Sequence, residues 1–90
     1  MHQIIYAKEA VEDLERLEKY IAKRITDKIK FYASQKDPLE FAKQLINIDE
    51  KRYRFRIGDY RAVFRVENNG EIKILMILRI KHRKDIYHLG

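Results

Sequence analysis

Cysteine is missing from all 90 residues, so disulfide bonds and thiolate metal sites are excluded. Proline occurs once and glycine three times. With 46% hydrophobic residues, that scarcity describes a folded, compact chain and not a linker or a disordered segment. Long apolar runs are also lacking. The longest aliphatic stretch, "ILMIL" at 74–78, falls far short of the about 20 residues that span a bilayer. The opening "MHQIIYAKEA" has none of the apolar length of a secretory leader. Histidines stand only at 2, 82 and 88, without metal-ligand spacing. A single cytoplasmic domain over 1–90 is expected, away from membranes and without metal or cofactor.

Charge is what the chain has in excess. Twenty Lys and Arg against 14 Asp and Glu give +6, and most of the surplus lies in residues 51–90. Spare lysines are common on solvated surfaces. Gathered on one face, the same charge becomes a footprint for phosphate.

The apolar periodicity sets the order of elements. "QIIYA" at 3–7 reads as a first strand. Ala10, Val11, Leu14, Leu17, Ile21, Ala22, Ile25, Ile29 and Tyr32 then recur at steps of three and four, which is one helical stripe. A single helix of that length would reach roughly 40 Å, more than a small domain holds. A helical hairpin bent near Glu18 to Tyr20 is therefore expected. "SQKDP" ends the second helix, because Pro38 forces Asp37 out of helical geometry. "PLEFAKQL" is expected to form a short helical turn. Strands follow at about 51–57, 60–67 and 71–81. Gly58-Asp59 is a two-residue hairpin loop of type II′, and "NNG" at 68–70 joins the last two strands. The fold class is α+β: a strand, a helical hairpin and a three-stranded antiparallel meander, with helices on one sheet face.

Alternation in "RYRFRIGDYR" assigns the two faces. Around a Gly58-Asp59 loop, Ile57 meets Tyr60, Phe55 meets Ala62 and Tyr53 meets Phe64, forming an apolar face. The opposite face pairs Arg56 with Arg61 and Arg52 with Arg65, and sets Arg54 against Val63. A three-residue Asn68–Gly70 loop places Ile72, Ile74 and Met76 in the core and keeps Lys73 out of it. Lys73, Arg79, Lys81 and Arg83 then extend the arginine face. These could be ordinary solvated side chains, their stems covering Val63, Leu75 and Ile77. Like charges set directly opposite repel, however, by a few tenths of a kcal/mol or more. No acid within 51–57 or 60–66 shares that face. Guanidinium also fits phosphate oxygens through its planar fork. An anionic partner is expected, either a phosphate backbone or an acidic protein segment, and for a backbone of RNA the binding candidates are Arg52, Arg56, Arg65 and Arg79.

The ending "RIKHRKDIYHLG" adds distinct chemistry. Arg83 can brace a phosphate. His82 has the side chain whose unperturbed pKa suits proton transfer near neutrality, although alternation allows it to face away from Arg83 as a structural histidine. Tyr87 could stack on an exposed base or close the edge of the core.

These strings, "YRFRIGDYRAVFRV" and "LRIKHRKDIY", resemble the RelE/ParE toxin superfamily, and the element order matches over nearly the whole chain. The resemblance to RelE-like members implies a toxin of a type II toxin–antitoxin system that cleaves mRNA in the ribosomal A site. Cleavage would follow attack of the 2′-hydroxyl on the neighbouring phosphate. It also implies a hetero-oligomer with a cognate antitoxin. The ParE branch instead poisons DNA gyrase, and a toxin-fold protein without activity is a third alternative. Carried over by position, the phosphate-facing strand residues are Arg54 and Arg56, the next-strand arginine is Arg61, the leaving-group arginine is Arg83 and the base-orienting tyrosine is Tyr87. Well-studied RNA-cleaving members carry lysine where this chain has arginine on that strand. Arginine stays protonated and makes a poor general base, so Lys81 and His82 become the candidate proton carriers.

Overall fold

The computed structural model describes residues 2–45, 50–70 and 72–85. Strand β1 (His2–Tyr6) leads into helix α1 (Lys8–Glu15) and helix α2 (Lys19–Ala33). A 3₁₀ turn (Pro38–Phe41) precedes a short strand β2 (Ala42–Gln44). Strands β3 (Tyr53–Ile57), β4 (Tyr60–Asn69) and β5 (Ile72–His82) follow. They form one five-stranded sheet ordered β1-β5-β4-β3-β2. The α+β plan is the expected one, with two strands joined to the meander: β1 lies parallel to β5, and β2 lies antiparallel to β3. No helix of the described residues is long and apolar enough to cross a membrane.

The helical stripe breaks between Glu15 and Lys19, slightly before the expected bend. Arg16 closes α1 in helical geometry, whereas Glu18 is extended (φ −60°, ψ 146°) and its carbonyl accepts from Ile21 and Ala22. Asp37 is extended before Pro38, and its carboxylate accepts from Leu39 N–H, capping the 3₁₀ turn. Only the first half of "PLEFAKQL" is helical. From Ala42 the chain pairs with Phe55, Arg54 and Tyr53, covering an edge of β3 that would otherwise expose unpaired amides.

The first hairpin has the expected register in all five pairs, Ile57–Tyr60 to Tyr53–Phe64, and Gly58 holds φ at 59° in its turn. The second departs from expectation. Asn69 pairs with Ile72, so β4 runs through the expected Asn68–Gly70 loop. Val66 and Phe64 oppose Leu75 and Ile77, which enter the core in place of Ile74 and Met76. Lys73 therefore leaves the arginine face, and Leu75 and Ile77 are not covered by arginine stems. The expectation failed because it kept Lys73 off the core parity, which the observed register gives it opposite Asn68. Lys73 lies near the exposed hairpin tip, where the core parity costs nothing. A bulge then leaves Leu78 without a partner, since Val63 pairs with Arg79 but Phe64 with Ile77. That extra residue resets the alternation and returns Arg79 and Lys81 to the face of Arg61.

The core lies between helices and sheet. Phe55 and Phe64, both fully buried, stack with ring centroids 4.3 Å apart. Ala10, Ile25, Ile29 and Tyr32 close over them from the helices.

Candidate functional site

On the uncovered sheet face the strand register lays charges in rows. Arg56, Arg61 and Lys81 form one row across β3, β4 and β5. Lys43, Arg54, Val63 and Arg79 form the next. Val63 is only 2% exposed.

Arg61 is the centre of the cluster and the least exposed arginine, at 9%. Its Nη1 donates to the carbonyls of Gly58 (3.0 Å) and Tyr60 (2.9 Å), which fixes the guanidinium against the turn. Burial lowers its pKa, and the charges of Arg54, Arg56 and Arg83 lower it further, with only Asp59 opposing them. Four guanidiniums thus share one region. Arg83 arrives there because the end of β5 is tied to the turn: its N–H donates to Asp59 O at 2.7 Å, and its Nε lies 3.7 Å from Asp59 Oδ1. Among the described residues, no carboxylate forms an ion pair with Arg54, Arg56 or Arg61. A surface so arranged focuses positive potential on a small area and suits phosphate oxygens.

Other basic candidates are already engaged. Arg79 makes a two-pronged bridge to Asp13, at 2.9 and 3.1 Å. Arg65 is held by Glu67 at 2.7 and 2.8 Å. Arg52 precedes β3, lies 3.7 Å from Glu50 and has a buried Nε without a partner. It does not form a ladder pair with Arg65. His82 shares the parity of Ile80 and sits on the helix side, its ring edge-on to Tyr60 with centroids 5.4 Å apart. Its Nδ1 accepts from Lys84 N–H at 3.2 Å. Lys81 is thus the titratable candidate that shares the row of Arg61. Tyr87 lies outside the described residues. Among those described, no group of three His, Asp or Glu could hold a metal ion.

A family model for the ParE toxin of type II toxin–antitoxin systems, parDE, matches residues 4–87. The chain belongs to the RelE/ParE toxin superfamily. As a member of that superfamily it is a type II toxin–antitoxin toxin. Solved structures carry the same fold. The RelB–RelE antitoxin–toxin complex of Methanococcus jannaschii is 30% identical, covers 96% of this chain and 98% of that one, and has a TM-score of 0.62. The archaeal RelE–RelB complex of Pyrococcus horikoshii is 26% identical over 91% and 94%, with a TM-score of 0.68. The RelBE2 toxin–antitoxin complex of Mycobacterium tuberculosis, at 22% identity over 91% and 98%, has a TM-score of 0.69 and shows the fold alone. No curated protein matches in sequence.

Two acids, Asp13 and Asp59, position this toxin's basic residues without belonging to the arginine pattern. In the sequence Asp59 is marked only as a turn residue. Asp13 carried a signal, because it lies one helical step from both Ala10 and Leu17 on the apolar stripe, where an acid needs a buried partner. Its carboxylate also accepts from Ile80 N–H at 2.9 Å. Strand β1 ends opposite Ile77, so the edge of β5 beyond it has no ladder partner, and Asp13 supplies one. Burial raises the Asp13 pKa, but hydrogen bonds from Arg79 and Ile80 and the charges of Arg79 and Lys81 outweigh it. The net shift is downward.

Proposed function

We propose that this toxin is a ribosome-dependent mRNA endonuclease. The observation that carries the reading is the Arg56–Arg61–Lys81 row, with Arg54 and Arg83 beside it and no carboxylate paired to the first three arginines among the described residues. In the reaction, a ribose 2′-oxygen attacks the adjacent phosphorus and the bond to the 5′-oxygen breaks. The products are a 2′,3′-cyclic phosphate and a 5′-hydroxyl. Negative charge grows on the phosphorane oxygens and on the leaving oxygen, and fixed guanidiniums stabilise it without reorganising. Arg61 and Arg54 hold the equatorial oxygens, and Arg83 faces the leaving group. One proton leaves the 2′-hydroxyl and one joins the 5′-oxygen. Arginine cannot exchange them, and His82 lies on the other face, so Lys81 is the proton carrier on this side. The ribosome supplies in-line alignment of the message. Arg52, Arg65 and Arg79 serve as peripheral support, and Tyr87 as a stacking residue for a neighbouring base. The RelE proteins solved with RelB support a cognate antitoxin as the physiological partner.

The test is cleavage of a translated reporter message on purified ribosomes, mapped by primer extension. Wild-type protein should cut within the A-site codon. Arg61→Ala combined with Arg83→Ala should reduce cutting by at least 10³-fold, since each removed donor of this type is worth about 10²–10³. Unchanged cutting would refute the reading. The matching family description, ParE of parDE, favours a second one, inhibition of DNA gyrase. Plasmid linearised by gyrase in the protein's presence, with messages intact, would establish that alternative.

A further inference from the structure

The hollow beneath the Gly58-Asp59 turn has no part in the reaction outlined above. It is a groove of about 420 Å³ between the first turn of α2 and the tips of β3, β4 and β5. That volume falls within the range of roughly 300–1,000 Å³ typical of small-ligand sites. Its floor is aliphatic, from Ile21, Ile25 and Ile57, and its walls are planar, from Tyr20, Tyr60, His82 and Arg24. Tyr20 is 67% exposed, a large ring left in water. Arg24 has no carboxylate partner among the described residues, and its Nη2 lies 2.9 Å from where a Cβ on Gly58 would stand. The bond from Lys84 N–H occupies His82 Nδ1, so the proton of the neutral ring belongs on Nε2, which becomes a donor.

The groove is continuous with the arginine row through the turn itself. Arg61 reaches from the other face to the carbonyls of Gly58 and Tyr60, and Arg83 is tied to Asp59. All three of those turn residues line the groove. We propose that it is a nucleobase subsite: a base of a single-stranded RNA lying across the arginine row turns over the hairpin tip and stacks against Tyr20, with Arg24 and His82 as donors and Asp59 as acceptor to its edge. Splayed bases held on aromatic rings and guanidinium planes are the usual mode of single-strand recognition. The proposal rests on the reading of the arginine row as an RNA surface.

Fluorescence anisotropy at low salt tests it, using a labelled hexaribonucleotide blocked against self-cleavage by 2′-O-methylation and a set with one abasic position each. Tyr20→Ala and Arg24→Ala should each weaken the intact oligonucleotide roughly tenfold, and Tyr20→Phe should stay within about twofold. One abasic position should weaken wild type about as much, yet cause no further loss in Tyr20→Ala. Both side chains are exposed, so an unchanged thermal midpoint separates these effects from misfolding. If Tyr20→Ala binds every oligonucleotide as wild type does while Arg61→Ala does not, the subsite is wrong and the arginine surface stands. If Arg61→Ala also changes nothing, the underlying RNA reading fails with it. Loss of antitoxin binding alone in Tyr20→Ala would make the groove a protein-docking surface and overturn the proposal.

Discussion

Arg61 and Gly58 show how much one residue decides here. The guanidinium is held by carbonyls and not by an acid, so its charge stays available while its position is fixed. Those carbonyls point correctly because Gly58 adopts φ 59°, a conformation that side chains disfavour. Gly58→Ala should cost about 1–2 kcal/mol in urea unfolding from backbone strain. Gly70 provides an internal control, having φ 65° with nothing within 4 Å of an added Cβ. Gly70→Ala should show the strain alone. Gly58→Ala should exceed it, because the new methyl must displace the Arg24 guanidinium. Equal losses would mean that this guanidinium moves aside freely. Alternation alone placed Arg54, Arg56 and Arg61 correctly, since a short, regular hairpin leaves no freedom of register. It could not reveal that Arg65 and Arg79 carry acid partners, because those bonds depend on a side-chain rotamer in one case and on a helix 66 residues away in the other.

Among the elements, α1 and β5 are joined by a polar clamp in an otherwise apolar interface. Asp13 serves Arg79, Ile80 N–H and the field of Lys81 at once. Asp13→Ala should destabilise the fold by about 2–3 kcal/mol, because an amide and a half-buried guanidinium lose their acceptor. Asp13→Asn should recover only part of this. The pH dependence follows from the downward shift. Above the unfolded carboxylate value, near about 4, the contribution is fully present. It is lost as pH falls from there through the lower folded value. Chemical denaturation between about pH 5 and 2 should show a steeper acid loss in wild type than in Asp13→Ala; parallel curves would remove the clamp from the account. Helices and hairpins were legible because their signals are local periodicities. Strand β2, the parallel docking of β1 and the bulge at Leu78 were not, since each is decided by what lies alongside after folding.

Taken whole, the molecule is a sheet with one dry face and one charged face, and its net charge of +6 gives the charged face a long reach. Only part of that charge is unspent. Arg54, Arg56, Arg61, Lys81 and Arg83 surround the turn end of the sheet, whereas Arg65 and Arg79 are neutralised by Glu67 and Asp13. The two groups should separate in the salt dependence of RNA binding. Five phosphate contacts on a single strand predict a slope of log affinity against log salt near roughly −3.5, at about −0.7 per contact. Arg54→Ala and Arg56→Ala, which have no carboxylate partner among the described residues, should each flatten that slope by about 0.7 and weaken binding in low salt. Arg65→Ala and Arg79→Ala should leave the slope nearly unchanged, because the carboxylate each exposes offsets the cation it removes as seen by the nucleic acid. If all four substitutions flatten it alike, the face acts as a uniform basic sheet without a focus, and the geometry around Arg61 has no special part in holding phosphate.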